Sequence, residues 1–300
     1  MFVIKYRKLF YTISTILTVA SFASLIFWGL KLGIDFKGGA LIDIAYESGT
    51  RPEVSVITSG LVAIDPATSV RVSGDNDLVI RMKDLDQAQK AAVMNVLSMN
   101  GAASTTVKAF DSIGPVLGAE ALRKAYTSII LVILGIVLFI TLAFRKVSEP
   151  VSSWKYGLTA VVALVHDVII PVGVFSVLGH FAGYEVDTLF VTAILVVLGF
   201  SVHDTIVVFD RVRENLKNSG ALKPFSEIVG ESISQTFVRS INTSMTTLLA
   251  LVILYIFGGS TTAHFSLVLI IGIAVGTYSS IFIGSPLLVT LERWSKKKGR

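Results

Sequence analysis

Two pairs of ionisable residues lie inside long apolar stretches of this sequence. His166 and Asp167 occupy the middle of one stretch, and His203 and Asp204 lie near the end of the next. An ionisable side chain at the bilayer centre costs about 2.5–3.5 kcal/mol on insertion scales, so such residues usually pair with one another or mark an ion pathway. These four residues are therefore candidates for moving protons within a membrane.

A polar stripe begins directly after Arg239, at the start of a third apolar stretch. Its hydroxyl side chains recur at i, i+3, i+4 and i+7, which places them on one helix face. The stripe consists of Ser240, Thr243, Ser244 and Thr247. We predict that this face lines a wetted path beside Asp204, toward which the long side chain of Arg239 extends from the helix end.

Purely structural roles are the alternative for each of these residues. Hydroxyl groups commonly connect membrane helices, and Asp167, His166 and His203 would then serve only as hydrogen-bond partners of neighbouring helices.

Two carboxyls that share a proton across about 3 Å are also the machinery of aspartyl proteases. The residues before Asp204, Leu-Gly-Phe-Ser-Val-His, lack the Gly-x-Gly of the intramembrane members of that class. We therefore expect no enzymatic activity.

The composition indicates a membrane protein. Hydrophobic residues make up 53% of the 300 residues and charged residues only 16%, against roughly 25% charged residues in an ordinary globular chain. So little polar surface excludes a soluble enzyme, a disordered chain and a nucleic-acid-binding module. The absence of cysteine excludes disulfides, thiolate metal sites and cysteine nucleophiles. We expect no metal and no cofactor other than an ion gradient.

Six apolar stretches reach the roughly 20 residues that a membrane-spanning helix needs. They cover residues 10–30, 126–144, 157–179, 188–209, 241–257 and 265–291. The first exceeds the roughly 7–15 apolar residues of a signal-peptide core, so we interpret it as an uncleaved anchor. The predicted organisation is a cytoplasmic N-terminus (1–9), a first span (10–30), a soluble segment (31–124), a five-helix bundle (125–291) with a cytoplasmic loop at 210–238, and a basic tail (292–300).

Lysine and arginine residues are concentrated in alternate loops and at both ends. They cluster before residue 10, at 145–155, at 211–239 and after residue 292, whereas the short loops 179–187 and 258–264 contain none. Basic residues in short loops stay on the cytoplasmic side, so both termini are predicted to be cytoplasmic. The segment 31–124 is long enough to cross the membrane despite its own charges.

The segment 31–124 has the sequence pattern of a small α+β domain. Strand and helix patterns follow one another as strand-helix-strand and again strand-helix-strand, with a turn-rich connection at 74–77. This order matches the split βαβ, ferredoxin-like plan. The predicted fold class is therefore an α-helical polytopic membrane protein with six spans and a ferredoxin-like extracytoplasmic domain between the first two.

Glycine-rich tethers join this domain to the membrane helices at residues 33–39 and 112–118. Gly38 and Gly39 lie in the incoming tether, and Gly114 and Gly118 lie in the outgoing tether. Glycine adopts backbone angles that other residues avoid, so these four residues are candidate hinges. The alternative is that they form only the turns that any domain needs at a membrane surface.

Five motifs resemble the SecF family of bacterial protein-export membrane subunits, within the resistance-nodulation-division superfamily. They are GIDFKGG (33–39), SIGPVLG (112–118), VDTLFVT (186–192), DTIVVFDRVREN (204–215) and RSINTSMTT (239–247). The resemblance covers nearly the whole chain. It implies a subunit of the bacterial plasma membrane that works with SecD and the SecYEG channel. It also implies that the proton gradient drives late steps in the export of unfolded secretory polypeptides.

The resemblance also assigns roles to particular residues. The family's relay aspartate and arginine match Asp204 and Arg239, and a further relay aspartate is supplied by SecD. The residue before the aspartate is commonly asparagine in this family, whereas here it is His203, and histidine is a residue type that can take part in proton transfer. The accessory candidates are His203, Asp167, His166, Thr243, Ser244 and Thr247. Some relatives use a sodium gradient, so sodium is the alternative driving ion.

Two other classes of function remain open on the sequence alone. A small-molecule exporter of the same superfamily is one, although such pumps have about twice the spans and two large outer domains. A passive assembly scaffold is the other, and it would not need Asp204 inside the membrane. The expected partners are a SecD-like subunit, the SecYEG channel, secretory polypeptides and membrane lipid, with no nucleic acid.

Overall fold

The computed structural model describes residues 2–47, 51–144, 152–219 and 223–298. Arg145, Lys146 and Arg300, which contribute to the predicted basic segments, lie outside the described residues. The chain divides into two compact units, one made of residues 1–31 and 127–300 and the other of residues 32–126. The second unit is close to the segment 31–124 that the sequence pattern separates from the apolar stretches.

The described elements alternate between long helices and one group of strands. In chain order they are α1 (Phe2–Lys5), α2 (Arg7–Trp28), α3 (Ile34–Lys37), β1 (Gly39–Tyr46), α4 (Val54–Val62), β2 (Ser69–Ser73), β3 (Asp77–Met82), α5 (Gln87–Leu97), β4 (Thr105–Ile113), α6 (Pro115–Ala143), α7 (Ser153–Phe181), α8 (Thr188–Ser219), α9 (Phe225–Phe257), α10 (Ser260–Ser279) and α11 (Ser285–Lys298). A π-helical turn, Ser280–Gly284, joins the last two helices.

Six helices among the described residues are long and apolar enough to cross a membrane. They are α2, α6, α7, α8, α9 and the joined α10–α11. The predicted six-span fold class is thereby confirmed. Small residues bring these helices together, because Gly272 of α10 faces Val197 of α8 and Gly276 faces Ser201. Close approach at small residues is the usual basis of helix packing in membranes.

The predicted cytoplasmic loop 210–238 is mostly helical. α8 continues to Ser219, and α9 already begins at Phe225. The end of α8 is polar, but its residues favour helix and form i,i+3 ion pairs between Arg211 and Glu214 and between Asp210 and Arg213. Hydropathy marks where a helix leaves the apolar layer, not where the helix ends. The helix α8 therefore continues ten residues beyond the predicted span end at 209, and α9 begins sixteen residues before the predicted span start at 241.

The sixth span is interrupted at its polar centre. Ser280–Gly284 forms a π-helical turn, and the Ser285 hydroxyl donates to the Ser280 carbonyl at 2.9 Å, five residues back. Pro286 has no N–H to donate to the carbonyl four residues earlier, which weakens regular α-helical bonding here. Single π-helical turns often occur at functional sites.

The second unit contains a four-stranded antiparallel sheet with the strand order β2-β3-β1-β4. With α4 after β1 and α5 after β3, this is the ferredoxin-like arrangement that the sequence predicts. Ile42 and Ile44 of β1 pair with Ile80 and Leu78 of β3. These side chains are fully buried against the two helices. Buried residues alternate along β1 from Ala40 onward and along β3, as expected for strands with one face against the core.

Candidate proton relay

Asp204 lies on α8 with only 2% of its surface exposed. Its carboxylate interacts with the hydroxyls of Ser244 on α9 and Thr277 on α10. Those hydroxyl oxygens lie 2.5 Å apart and hydrogen-bond to each other. The Oδ2 atom of Asp204 is buried and has no hydrogen-bond partner among the described residues. The arrangement therefore places an acceptor oxygen with free capacity between three membrane helices.

The two hydroxyls beside Asp204 can redirect their protons. Ser244 also lies 2.9 Å from the Ser240 carbonyl, and Thr277 lies 2.9 Å from the Ile273 carbonyl. Each hydroxyl carries a single proton, so it donates either to the carbonyl of its own helix, to the other hydroxyl, or toward the Asp204 carboxylate. A change in the charge of Asp204 can thus be accommodated by rotating hydroxyls, without moving a helix.

Arg239 lies on α9, five residues before Ser244, which is about 7.5 Å along the helix axis. Its side chain is exposed in this chain and interacts electrostatically with the Asp204 carboxylate. It makes no ion pair within 4 Å in the part of the chain that the structure describes. The structure thus places the two predicted relay residues near one another without a direct contact.

The other members of the predicted stripe do not all face Asp204. Ser240 and Ser244 are buried, whereas Thr243 and Thr247 are only partly buried. Thr243 donates to the Arg239 carbonyl at 3.0 Å, and Thr247 donates to the Thr243 carbonyl at 3.1 Å. Only Ser244 of the accessory hydroxyls predicted from this stripe therefore interacts with the carboxylate.

His203 is next to Asp204 in sequence but lies on an exposed face of α8. Its ring interacts electrostatically with the Asp204 carboxylate. Consecutive residues on a helix point about 100° apart, so a buried Asp204 leaves its neighbour at the edge of the packed face. His203 is thus placed beside the buried carboxylate rather than within its hydroxyl cluster.

Asp167 and His166 form a second buried cluster, on α7. Asp167 is fully buried, and its Oδ2 atom accepts hydrogen bonds from Ser201 on α8 and from Ser279 on α10, the latter at 2.7 Å. Its Oδ1 atom lies 2.9 Å from the Nδ1 atom of His166. Asp167 therefore connects α7 with α8 and α10, and its contact on α10, Ser279, is the residue just before the π-helical turn.

Several polar residues of these clusters were missed in the sequence analysis. They are Ser201, Thr205, Thr277, Ser279 and Ser280. Ser280 and Thr205 hydrogen-bond to each other at 2.9 Å. They follow Ser279 by one residue and Ser201 by four residues on the same two chain segments. A usable signal was present, because four consecutive hydroxyl residues, 277–280, precede a proline in the sixth span.

The glycines of the tethers form a closely packed clasp within the second unit. Gly38 and Gly39 have φ values of +77° and +132°. A Cβ atom on Gly38 would lie 2.8 Å from Pro115 Cα, and one on Gly39 would lie 2.6 Å from the Met82 carbonyl oxygen. One on Gly118 would lie 2.9 Å from the Gly38 nitrogen. These three positions therefore require glycine for close contact.

Gly114 and Gly118 in the outgoing tether do not use the backbone freedom of glycine in this structure. Neither has a positive φ, and Gly118 lies inside α6, which begins at Pro115. Position 118 requires a small residue because the incoming tether packs directly against it. A Cβ atom on Gly114 would meet nothing closer than 3.8 Å. Gly114 therefore needs neither special angles nor space.

These features define a multi-pass membrane protein with buried carboxylates in its helical bundle and one α+β domain inserted after its first span. A sequence profile described as protein export membrane protein SecD/SecF, C-terminal, matches residues 92–294, and the SecD/SecF GG motif matches residues 23–50. The chain belongs to the SecD/SecF family of protein export membrane proteins. The resemblance noted from the motifs is thereby confirmed.

Individual relatives agree over nearly the full length. The chain is 41% identical to the protein translocase subunit SecF of Thermobaculum terrenum, over 97% of this chain and 93% of the relative. It is 38% identical to the subunit of the same name from Sebaldella termitidis, over 97% and 92%. The matching regions include the tethers, the α+β domain and all six spans.

A solved structure has the same fold. The crystal structure of SecDF, a translocon-associated membrane protein from Thermus thermophilus, superposes with a TM-score of 0.81 at 27% identity. The match covers 97% of this chain but only 38% of that chain. This chain therefore corresponds to a minor part of the SecDF polypeptide.

Proposed function

We propose that this chain is the SecF-type subunit of an accessory complex of the Sec translocase, which uses an ion gradient to assist late steps of protein export. The observation that carries the proposal is the buried Asp204 carboxylate, which has an unpartnered oxygen and switchable hydroxyls on two neighbouring helices. A carboxylate in such a place can gain and lose a proton while its surroundings adjust. Protons are the proposed driving ion, and sodium is the alternative.

A SecD-like subunit is the proposed direct partner. The exposed polar residues of the membrane helices α8 and α9 include His203, Arg239, Asn242 and Thr246. Exposed polar groups of this kind are unfavourable against lipid and favourable against another protein. The larger SecDF polypeptide contains additional chain beyond the part that matches here. We expect the partner to cover this face and to supply a further relay aspartate, with the SecYEG channel and the secretory polypeptide as the other partners.

The proposed location is the bacterial plasma membrane, with both termini in the cytoplasm. Loop charges support this orientation, because the basic clusters alternate with loops that lack lysine and arginine. The chain contains no native cysteine, so single cysteines give clean labelling. Ser73→Cys in the α+β domain should react with an impermeant thiol reagent in intact cells, and Ser219→Cys at the end of α8 should not. The reverse pattern would refute the orientation.

The relay is tested by proton flux in vesicles that contain the chain together with its SecD-like partner. Asp204→Asn keeps the shape of the side chain but removes the titrating group, so flux and gradient-dependent export should fall to background. Arg239→Met should reduce both, because it removes the cation that interacts with the carboxylate. Asp210→Asn is the matched control, since Asp210 lies six residues further along α8 and is exposed; this variant should retain wild-type flux.

Wild-type flux from Asp204→Asn would refute the relay assignment. Wild-type export together with loss of flux would mean that the chain conducts protons without using them for export. Co-purification with a SecD-like subunit and channel subunits separates the proposal from a small-molecule exporter, which the family membership already disfavours. A passive scaffold would co-purify as well but would tolerate Asp204→Asn.

A further inference from the structure

An open, mostly apolar groove of about 550 Å³ lies between α2, α7 and the second half of the sixth span. On α2 the groove extends from Tyr11 to Val19, which is about 12 Å along the helix axis. The tails of one membrane leaflet are about 15 Å deep, half of the roughly 30 Å hydrocarbon core. Because α2 is a membrane-spanning helix, the groove has the direction and nearly the length of one lipid tail.

The walls of the groove suit an apolar occupant. Val161, Val162 and Val165 of α7 form one wall, and Ile283 and Leu287 of the sixth span belong to another. Two of these valines, Val162 and Val165, are more than 40% exposed in this chain. No acidic or basic side chain other than one histidine lines the groove among the described residues. A hydrocarbon chain therefore fits inside the groove, and a charged group does not.

Basic residues lie at the end of the groove where α2 and α7 begin. Arg7 and Lys8 lie one turn before Tyr11 on α2, and Arg7 interacts electrostatically with the Tyr11 hydroxyl. Lys155, at the start of α7, donates to the Ser295 hydroxyl on α11 and so connects the two other walls. No carboxylate lies within 4 Å of these three cations in the part of the chain that the structure describes. Their charges are therefore available to an anionic ligand.

Two exposed tryptophans mark the same end of the groove. Trp154 lies next to Lys155, whose ammonium is 5.8 Å from the centre of the Trp154 ring. Trp294 follows Thr290 by one helical turn, and the Thr290 hydroxyl hydrogen-bonds to Tyr11 at 3.0 Å. Each tryptophan is 56% exposed. Tryptophan is enriched where lipid tails meet headgroups, so the cations at this end lie at the depth of lipid phosphates.

We propose that the groove binds one anionic phospholipid from the leaflet in which α2 begins, which is the cytoplasmic leaflet in the proposed orientation. One tail lies between α2, α7 and α11, and Arg7, Lys8 and Lys155 bind the phosphate. Basic pockets between membrane helices on the cytoplasmic side are a known form of lipid recognition. The bound lipid fills the groove and supports the packing of the first span on the bundle. Neither Asp204 nor Arg239 lines the groove, so the site is separate from the proposed relay.

The test is photocrosslinking of the purified complex with its SecD-like partner in detergent micelles. The probe is phosphatidylglycerol with a diazirine in one tail, and mass spectrometry maps the label. We expect label on peptides that cover residues 11–19 and 161–166, and little label from phosphatidylcholine with the same diazirine. Unlabelled phosphatidylglycerol should compete with the probe. Inorganic phosphate should not compete, because it has no tail to place in the groove.

A double variant tests the cations at the end of the groove. Each basic residue near an anionic lipid contributes about fivefold to binding, so Arg7→Gln combined with Lys155→Gln should weaken binding about 30-fold. The readout is the mole fraction of unlabelled phosphatidylglycerol that halves the labelling. Lys217→Gln combined with Lys223→Gln is the control of equal charge, since both residues are exposed near the end of α8. The control should bind as the wild type does.

A second variant tests the groove itself and leaves the charges in place. Val165→Phe puts an aromatic ring into the groove from an exposed position, so the labelling of residues 11–19 should fall while the midpoint of thermal unfolding stays unchanged. Leu134→Phe is its control, because it adds a ring at an exposed position of α6 outside the groove. Labelling should be unchanged in Leu134→Phe.

Several results would overturn the proposal. Equal labelling by the two lipids, or equal weakening in the two charge variants, would mean that the groove contacts bulk lipid without selecting an anionic one. Competition by inorganic phosphate would indicate a phosphate site without a lipid tail. Label on the partner subunit alone would mean that protein covers the groove. Asp204→Asn should label as the wild type does, so failure of the lipid site and failure of the relay are distinguishable.

Discussion

Replacing Gly39 with alanine should open the sheet of the α+β domain, although it adds only one methyl group. Gly39 begins β1, has a φ of +132°, and leaves no room for a Cβ atom, which would lie 2.6 Å from the Met82 carbonyl oxygen on β3. The next residue, Ala40, pairs with Met82 in the sheet register. The methyl group must therefore disturb the first pair of the β1–β3 ladder.

The expected cost has two parts. A non-glycine residue at such a backbone angle costs about 1–3 kcal/mol. Displacing the Met82 carbonyl weakens a backbone hydrogen bond, whose net contribution is about 0.5–1.5 kcal/mol. The sum is about 3 kcal/mol, and because each 1.4 kcal/mol is a factor of ten, the opening equilibrium of the sheet should rise about 150-fold.

Hydrogen exchange of the full-length protein, measured on peptides that cover β1 and β3, reports this opening directly. Two other glycines separate the causes. Gly74 has a φ of +69° but open space around it, so Gly74→Ala should carry only the backbone cost of about 1–2 kcal/mol, a roughly 5- to 30-fold increase. Gly114 has neither feature, so Gly114→Ala should change exchange by about twofold or less.

The decisive result is the ranking of the three variants by hydrogen-exchange rate in β1 and β3. Equal exchange in Gly39→Ala and Gly74→Ala would mean that the contact with Met82 adds nothing and that the clasp is not closely packed. Equal exchange in all three would refute the backbone argument as well. An export defect in a Gly39 variant whose exchange is unchanged would instead support a hinge that acts without destabilising the domain.

Two further predictions concern a helix contact and a buried phenol. Gly173→Ala on α7 should lower the midpoint of thermal unfolding by about 3–10 °C, because a Cβ atom there would lie 2.6 Å from Ser21 Cα on α2. Gly199→Ala is the control and should not lower the midpoint, because a Cβ atom at Gly199 would have no neighbour within 4 Å. Burial raises the pKa of Tyr46 to about 12, so the folded domain retains its proton where the unfolded chain loses it, and stability should fall as pH rises from 10 to 12. Tyr46→Phe should abolish this loss of stability between pH 10 and 12. At neutral pH the same variant should be about 1 kcal/mol less stable, because it lacks the hydrogen bond to the Leu97 carbonyl. Unchanged alkaline unfolding in Tyr46→Phe would contradict the assignment of the alkaline effect to this phenol.

The sequence alone determined the elements and their membrane character. Six apolar stretches, an alternating pattern in the segment between the first two, and glycines at its ends predicted the six helices and the ferredoxin-like sheet, because hydropathy and periodicity are sums over neighbouring residues. The same local reasoning identified Asp204, Arg239, His166 and Asp167, since a charge in an apolar stretch is visible without knowing its surroundings. The family motifs then assigned roles to the first two.

Tertiary structure decided which of these residues meet. Rotation of α8 buries Asp204 and leaves His203 exposed, although the two are adjacent. Ser279 and Ser280 are adjacent but hydrogen-bond to different partners, Asp167 and Thr205. Gly118 is required by a chain segment 80 residues earlier. Contacts between helices depend on the rotation and register of both partners, which no single stretch of sequence encodes, so the grouping of the polar residues into two separate clusters could be seen only in the folded chain.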